Sequence, residues 1–294
     1  MEMDRRFGMS NDNNTINEKE ALTHAGSFHS DDVFGAALLT YINPNIRIRR
    51  VFEVPQNYEG LVFDIGKGKF DHHQEDSEIR ENGVPYAAFG LLWREYGAGI
   101  LGEEQAREFD ESFVQPLDLS DNTGCHNVLA KMIANFNPTW EEENTISTDE
   151  CFEQAKQVAL TILERYIENY KAEAKGKKIV VEALSQMKDQ IVVLPRCVPW
   201  KKTLTYSGAK FVVYPSNRGG YNAQGVPVAA DSTELVCSFP KDWRGRSLEE
   251  LNKITGIAGI RFCHNAGFLA AFDNQEDAIK ACYIAMERSK QDLS

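Results

Sequence analysis

The feature that most constrains the fold is an alternation of short apolar runs with helical patterns in the first part of the chain. Strands are predicted at 20–23, 46–54 and 61–63, and the apolar stretch 33–41 is typical of a helix capped by Ser30 or Asp31. Strands that alternate with helices form parallel, doubly wound sheets, which bind ligands at the carboxyl ends of their strands. We therefore expect an α/β fold with a doubly wound, mainly parallel sheet.

A long helical pattern divides the chain. Apolar residues recur at three- and four-residue intervals through 148–175, and Gly176 is expected to end this helix. Beyond it, predicted strands at 191–194, 210–214 and 234–239 and helices at 248–254 and 275–288 indicate a second, smaller α+β domain. The expected organisation is a disordered leader over 1–19, a catalytic domain over 20–176 and the smaller domain over 177–294.

Charge is unevenly distributed along the chain. The net charge is −12 over 294 residues. Residues 1–175 hold 16 Lys+Arg against 32 Asp+Glu, whereas residues 176–294 hold 16 against 12. An acidic first part is suited to binding cations and a basic second part to binding anions, although solvated surfaces alone would give the same pattern.

Several classes of protein are excluded by the sequence. No stretch approaches the roughly 18–20 consecutive apolar residues of a membrane span, so no membrane partner is expected. The six cysteines are scattered without a CxxC pair, which argues against a zinc knuckle or a thioredoxin-like site and fits a reducing compartment. Residues 1–20 lack an apolar signal core and an arginine-rich transit pattern, so a cytoplasmic location is expected, with a nuclear or mitochondrial one left open.

Histidines and aspartates are concentrated after the predicted strands and in one further polar loop, 118–124. Imidazole and carboxylate without thiolate are ligands for Mn²⁺, Mg²⁺ or Co²⁺ rather than for structural zinc. The set exceeds what one ion needs, and two ions about 3.5–4 Å apart, bridged by a carboxylate, would stabilise a phosphoryl displacement. Asp31 could instead only cap a helix, and Asp118 is expected to be structural. The candidates are His24, His29, Asp31, Asp64, Asp71, His72, His73, Asp118 and Asp121.

The order of these motifs resembles that of a known family. The segments THAGSFHSDD (23–32), FDIGKGKFDHHQ (63–74) and LDLSDNTG (117–124) resemble the successive motifs of the DHH phosphoesterase superfamily, and closely those of its MYG1 branch, the UPF0160 family. The resemblance continues through NPTW (137–140), PWK (199–201), WRG (243–245) and GIAGIRFCHNAGF (256–268). It implies a manganese-dependent exonuclease that trims RNA from the 3′ end, although some members are described as metal-dependent protein hydrolases.

The resemblance also implies a role for each site residue. His73 would face the substrate, where it would stabilise charge on the phosphate or protonate the leaving oxygen. Asp71 would orient a histidine through its free ring nitrogen. An aspartate usually stands at the position of His29 in the wider superfamily. One metal ion would be bound by His24, His29 and Asp64, and the other by Asp31, Asp64, His72 and Asp121, with Asp64 as the bridge.

The smaller domain contains the candidate residues for binding the substrate. Arg261 and His264 lie in the glycine-bounded stretch 256–267, which resembles the substrate-binding end of the superfamily's second domain without its Gly-Gly-His signature. Unpaired bases could stack on Trp200, Trp243 or Tyr206, although a buried core position is the alternative for each. Further candidates for phosphate contacts are Arg196, Lys201, Lys202 and Arg244.

The sequence therefore predicts a two-domain hydrolase. In its interdomain cleft, a dinuclear metal centre is expected to lie opposite basic residues. The expected reaction is 3′-to-5′ exonucleolytic hydrolysis of single-stranded RNA or short oligonucleotides, with two Mn²⁺ ions, or Mg²⁺ or Co²⁺ in their place. One alternative is a small-molecule phosphatase acting on pyrophosphate or a cyclic dinucleotide. Another is a metal-stabilised module that binds nucleotides without cleaving them. The oligomeric state is left open, with a homodimer as one possibility.

Overall fold

The computed structural model describes residues 16–142, 145–229 and 231–291. Most of the predicted leader, residues 1–15, lies outside the described residues. Residues 16–19 belong to the packed structure, since Ile16 is buried. The side-chain amide of Asn43 donates hydrogen bonds to the Ile16 and Glu18 carbonyl oxygens, each at 3.2 Å. Contacts divide the chain into two compact units, Met1–Lys171 and Ala172–Ser294.

The first unit contains a three-stranded parallel sheet. Its strands are β1 (Glu20–His24), β2 (Arg47–Val51) and β3 (Leu61–Val62), in the order β2-β1-β3. Ala21 and Leu22 in β1 are fully buried, which explains why this central strand is apolar. The α/β class and the parallel pairing are confirmed, whereas the DHH-like doubly wound architecture stays a prediction.

Helices cover this sheet and supply most of the core. α1 is buried from Ser30 to Leu39, which accounts for its nearly continuous apolar sequence. Its Phe34 ring lies 5.5 Å from that of Phe89 and 5.4 Å from that of Phe113, between ring centroids. The helices of this unit are α1 (Ser30–Ile42), α2 (Ala88–Leu101), α3 (Glu103–Phe109), α4 (Gln115–Thr123) and α5 (Val128–Ala134), followed by the start of α6 (Thr148–Ser185).

The segment 118–124 is helical rather than the expected loop. A π-helical turn, Asp110–Val114, carries the chain from α3 into α4, and Pro116 lies in the first turn of α4, where its missing N–H is tolerated. Gly124 ends the helix in the left-handed conformation with φ 69°. Asp121 therefore projects from the last turns of a helix.

Helix α6 is longer than the sequence predicts. It has 38 residues and runs through Gly176, so the expected end at Gly176 is wrong. A Cβ atom at Gly176 would lie 3.2 Å from Pro199 Cδ, and the absent side chain thus lets the helix pack closely on the segment 198–199. Val180 and Ala183 continue the buried face, which offsets the roughly 1 kcal/mol cost of a glycine within a helix.

The second unit contains a mixed five-stranded sheet in the order β4-β5-β6-β8-β7. Only β4 and β5 pair in parallel, and the other neighbours are antiparallel. Helix α9 packs small buried residues, among them Ala278, Ala281 and Ala285, against this sheet. The elements are β4 (Ile191–Val193), α7 (Lys201–Leu204), β5 (Phe211–Pro215), β6 (Tyr221–Gly225), a 3₁₀ turn (Lys241–Trp243), α8 (Leu248–Thr255), β7 (Ile260–Cys263), β8 (Leu269–Phe272) and α9 (Gln275–Gln291).

The strand predicted at 234–239 is not present. Leu235 forms only an isolated bridge with Pro227, which the Val228–Glu234 and Val236–Val226 backbone hydrogen bonds flank. Cys237 and Phe239 are nevertheless buried in the core of the second unit, so the apolar pattern reflects packing rather than sheet pairing.

Among the described residues, no helix carries an apolar stretch that would cross a lipid bilayer.

Candidate metal centre

Two of the predicted ligands lie side by side because they end neighbouring parallel strands. His24 is the last residue of β1, and Asp64 follows shortly after β3. Leu22 pairs with Val62, and the Phe63 amide donates to the Leu22 carbonyl oxygen at 3.0 Å. His24 Nε2 accordingly lies 3.2 Å from Asp64 Oδ2.

Asp64 has an unusual backbone conformation. Its φ is 57°, in the left-handed region, which aspartate and asparagine adopt more readily than most residues. Its amide donates to the Phe70 carbonyl oxygen at 2.9 Å and closes the turn that contains Gly66–Lys69. This turn buries the Asp64 carboxylate and brings the following residues, 71–73, back to it.

His72 contacts the other oxygen of Asp64. Its Nε2 lies 3.2 Å from Asp64 Oδ1, 3.4 Å from Asp121 Oδ2 and 3.5 Å from Asp31 Oδ2. Its Nδ1 lies 3.2 Å from the Asn122 side-chain oxygen, a contact that the sequence did not indicate. The two oxygens of Asp64 therefore face two different histidines.

His29 lies nearer to Asp121 than the resemblance implies. Its Nδ1 is 3.9 Å from Asp121 Oδ1, and these two residues form a potential metal-binding group with Asp31. The His24 and His29 rings are 6.2 Å apart between centroids. His29 stands at the N-cap position of α1, so its ring lies on the α4 side rather than with His24 and Asp64.

Asp32 is a member of the site that the sequence analysis missed. It is fully buried, and its Oδ2 lies 3.2 Å from His24 Nε2. Its Oδ1 accepts a hydrogen bond of 2.9 Å from the amide of His29, the N-cap residue of α1, so Asp32 completes the capping box from the third position of the helix. The expected capping by Ser30 or Asp31 is wrong because the cap lies one residue earlier. We call His24, His29, Asp31, Asp32, Asp64, His72 and Asp121 the metal cluster.

Burial and charge shift the pKa values within the metal cluster in opposite directions. Burial lowers the pKa of His24, but the Asp32 and Asp64 carboxylates outweigh it and raise that pKa to about 10. Burial raises the pKa of Asp64, yet His24 and His72 lower it to about 2. Burial, with the Asp64 and Asp121 charges, raises the pKa of Asp31 well above its usual range. The carboxylates of the metal cluster therefore favour added positive charge on their neighbours.

Several buried atoms of the metal cluster have no hydrogen bond among the described residues. They are Asp31 Oδ1, Asp32 Oδ2, Asp64 Oδ1 and His72 Nε2. Unpaired buried polar atoms are costly, and carboxylate and imidazole groups so arranged fit a divalent cation. Three potential metal-binding groups meet here: His24-Asp32-Asp64, Asp64-His72-His73 and His29-Asp31-Asp121. The residues thus fit one or more metal ions.

His73 is held beside the metal cluster by Asp71. Its Nδ1 lies 2.8 Å from Asp71 Oδ1, nearer than the 3.6 Å to Asp64 Oδ1. Asp71 also accepts from the His73 amide at 3.1 Å and from the Lys67 amide at 2.6 Å. The Asp71 carboxylate is buried while the His73 side chain is 59% exposed. Asp71 therefore fixes one ring nitrogen of His73 and leaves the other free for a ligand.

Asp118 lies outside the metal cluster and has a structural environment. Arg80 Nη2 donates to Asp118 Oδ2 at 2.7 Å, and the Gly90 amide donates to its Oδ1 at 3.1 Å. Arg80 also forms two hydrogen bonds with Asp110, and its guanidinium stacks 3.8 Å from the centroid of the Tyr86 ring. We call Arg80, Asp110 and Asp118 the arginine cluster.

The candidate substrate residues of the second unit have varied surroundings. Arg244 donates to the Phe239 carbonyl oxygen and the Ser238 hydroxyl, and Arg261 to Asp273 and the Gly219 carbonyl oxygen. These bonds hold both guanidinium groups within the unit, and His264 Nδ1 accepts from the Ala266 amide at 3.1 Å. Trp200 and Trp243 are buried, whereas Arg196, Lys201 and Tyr206 are exposed. A role of these residues in substrate binding stays a prediction.

Comparison with known families identifies the same family that the order of the motifs indicates. The model for the uncharacterised protein family UPF0160 matches residues 20–286, which include all of the metal cluster. The chain belongs to this family. The UPF0160 match also extends through most of the second unit, so both units are part of the family's shared sequence.

Curated UPF0160 relatives are called MYG1 proteins. The MYG1 protein YER156C of Saccharomyces cerevisiae is 24% identical over 322 residues, which cover 90% of this chain and 94% of the relative. A Chlamydia pneumoniae MYG1 protein is 27% identical over 285 residues, covering 90% and 96%. The MYG1 exonuclease of Homo sapiens is 26% identical over 313 residues, covering 87% and 83%. No solved structure gives a significant match.

Proposed function

We propose that the chain is a metal-dependent phosphodiester hydrolase that shortens single-stranded RNA or short oligonucleotides from the 3′ end. The observation that carries this proposal is the Asp64 carboxylate, whose two oxygens each lie 3.2 Å from a different histidine. Such a bridge between two ions suits in-line displacement at phosphorus. The human and mouse relatives are named MYG1 exonuclease, which supports a nucleic acid as the substrate.

Two ions would share Asp64 in this proposal. One would be held by the His24-Asp32-Asp64 group, and the other by His72 with the carboxylates on its Nε2 side. Mn²⁺ is the proposed ion, with Mg²⁺ or Co²⁺ as alternatives, because the donors are oxygen and imidazole nitrogen. When bound, the ions supply positive charge for both the attacking and the leaving oxygen.

His73 would serve the leaving group. With Nδ1 held by Asp71, the Nε2 of the exposed ring is available to a substrate in the adjoining cavity. Water would attack the phosphorus and give up a proton to the solvent, the P–O3′ bond would break, and a proton from His73 would go to the O3′ oxygen. The products would be a nucleoside 5′-monophosphate and a strand shortened by one nucleotide with a free 3′-hydroxyl group.

Two other functions are compatible with the same residues. A phosphatase for pyrophosphate or a cyclic dinucleotide would use the same metal cluster on a smaller substrate. A binding module would keep the metal cluster but would not require an oriented histidine beside it. The Asp71–His73 contact supports catalysis, and the cavity of about 650 Å³ supports a substrate larger than pyrophosphate.

The first experiment follows end-labelled single-stranded RNA with Mn²⁺, with and without EDTA. The wild type should release mononucleotides stepwise, and Asp64→Asn and His73→Ala should both fail. Asp76→Asn is the matched control, because Asp76 is an exposed carboxylate near the same loop. Labels at the 5′ and 3′ ends would report the direction of cleavage.

The possible results separate the three functions. Intact RNA together with hydrolysis of pyrophosphate or a cyclic dinucleotide would replace the nuclease with a phosphatase. Nucleotide binding without turnover of any of these substrates would favour the binding module. RNA degradation that survives both EDTA and Asp64→Asn would overturn the metal-dependent mechanism.

A further inference from the structure

A cavity of about 650 Å³ adjoins the metal cluster within the first unit. One part of its lining belongs to the cluster and its neighbour, namely His29, His72, His73 and Asp121. The rest of its lining comes mainly from the end of α4, the connection 124–127 and α5. Its volume is within the roughly 300–1,000 Å³ range of small-molecule sites and exceeds what metal ions alone would fill.

The wall formed by the α4–α5 connection is fixed by hydrogen bonds. The Ser120 hydroxyl donates to the Cys125 carbonyl oxygen at 2.9 Å. The Asn127 side chain accepts from the Ala130 amide at 3.0 Å and donates to the Pro116 carbonyl oxygen at 3.2 Å. Ile133 anchors α5 in the core with 1% exposure. This wall is therefore built before any ligand binds.

Lys131 gives this wall a positive charge. It is the sole lysine or arginine among the described residues that line the cavity. Its side chain is exposed, and no ion pair to it is present in the described part of the chain. His126 lies on the same wall and is also exposed. A cation that lines the same cavity as part of the metal cluster, in a strongly acidic unit, is suited to binding an anion.

We propose that Lys131, with His126 beside it, binds the phosphate that neighbours the cleaved one in an oligonucleotide. This proposal rests on the proposed function and specifies its substrate: a strand with at least two phosphodiester groups. The scissile phosphate lies at the metal cluster, the adjacent phosphate lies at Lys131, and the nucleoside between them occupies the cavity. Lys131 is a substrate-binding residue here and takes no part in the bond cleavage.

The test compares a dinucleotide, NpN, with a trinucleotide, NpNpN, under saturating Mn²⁺. Only the trinucleotide has a second phosphate, so the wild type should cleave it with a kcat/KM about tenfold higher, as expected for one charge-assisted hydrogen bond. Lys131→Ala should raise KM for the trinucleotide about tenfold and leave the dinucleotide unchanged. Lys131→Arg should keep the preference. Lys19→Ala, which removes an exposed lysine that does not line the cavity, is the matched control.

Salt dependence gives a second measurement. For longer single strands, removal of one phosphate contact should reduce the slope of log KM against log salt by about 0.7. Equal kcat/KM values of the wild type for both short substrates would overturn the role of Lys131 but not the proposed hydrolase function. An unchanged KM for the trinucleotide in Lys131→Ala would have the same meaning. If the wild type cleaves neither substrate nor longer RNA, the proposed function fails and this proposal fails with it.

Discussion

Two groups of buried carboxylates lie in the first unit, and they differ in where their positive charge comes from. In the arginine cluster, Arg80 supplies it, and Asp118 receives hydrogen bonds on both oxygens. In the metal cluster, Asp31, Asp32 and Asp64 are equally buried, yet each keeps an oxygen without a hydrogen bond among the described residues. Buried acids with an arginine of their own stabilise the fold, whereas buried acids that lack one form a site that suits an added cation.

The pKa values follow the same contrast. Burial raises the pKa of Asp118 to about 7, although the Arg80 charge and hydrogen bond act in the opposite direction. The bonds from Arg80 and the Gly90 amide are those of an ionised carboxylate, so we assign Asp118 as charged in the folded protein. In the metal cluster the histidines supply positive charge instead of an arginine, and the pKa of His24 is raised far above its usual value.

The largest expected effect is on stability, from loss of the arginine. Arg80→Met leaves Asp118 buried without a cation, which should lower the free energy of unfolding by about 3–5 kcal/mol. Urea denaturation would measure this. Asp118→Asn in the same chain should recover part of the loss, because the amide oxygen still accepts from Gly90. A loss of unfolding free energy below about 0.5 kcal/mol would contradict the stabilising role of the arginine cluster.

The next effect concerns the metal cluster. At 100 times the Kd, Mn²⁺ should stabilise the wild type by about 2.7 kcal/mol, and Asp64→Asn should lose most of this gain. For a unit of this size the gain corresponds to a rise in Tm of about 5–10 °C, which differential scanning fluorimetry detects. Arg80→Met should keep the full metal-induced rise from its lower starting Tm. An unchanged Tm of the wild type with Mn²⁺, Mg²⁺ and Co²⁺ would contradict metal binding by the metal cluster.

A smaller effect is expected from the residue that orients His73. Asp71→Asn weakens the contact with His73 Nδ1 and should reduce kcat by about 10- to 100-fold, as for other residues that support a catalytic group. Metal-induced stabilisation should be unchanged, which separates this role from metal binding. Equal losses of metal binding and activity would instead make Asp71 part of the metal cluster.

The last effect, which needs no substitution, is a pH dependence of metal affinity. In the metal-free protein the pKa of His24 is raised to about 10 and that of His72 is also raised, so both rings hold protons at neutral pH. Metal ions displace these protons, and the apparent affinity should therefore rise with pH, about tenfold per unit for each proton released. Calorimetry at pH 6.5 and 7.5 in two buffers would count them. An affinity that is constant over this interval would mean that no histidine is a ligand.

Sequence reasoning correctly predicted that His24 and Asp64 would lie close together, because chain topology places them. His24 and Asp64 follow strands that pair in parallel, and such strands end at the same edge of a sheet. Parallel pairing and the position of α1 followed from the apolar pattern in the same way. The helix around Asp121 was harder to predict, since Ser120-Asp121-Asn122-Thr123-Gly124 has the composition of a turn. Its helical state depends on the π-helical turn and the buried residues before it.

Other features of the fold and the site could not be predicted, because they depend on tertiary packing rather than on the local sequence pattern. Asp31 and Asp32 are adjacent acids at a helix start, and only the folded chain separates the one near His72 from the one near His24. Gly176 has the composition of a helix end, yet its missing side chain makes room for Pro199. Arg244 and Arg261 were predicted to contact substrate, but the sequence did not indicate that Arg244 donates to the Phe239 carbonyl oxygen and Arg261 to Asp273 and the Gly219 carbonyl oxygen.

The backbone at Asp64 also limits how members of such a family can change. In the left-handed conformation most side chains cost about 1–2 kcal/mol, whereas glycine and asparagine fit with little cost. Asparagine therefore removes the bridging charge and preserves the turn, while bulkier replacements disturb both. Under the proposed function, a homologue that has lost hydrolysis but kept its fold should carry Asn or Gly at this position. The identity of this one residue would thus distinguish active members from inactive ones before any assay is performed.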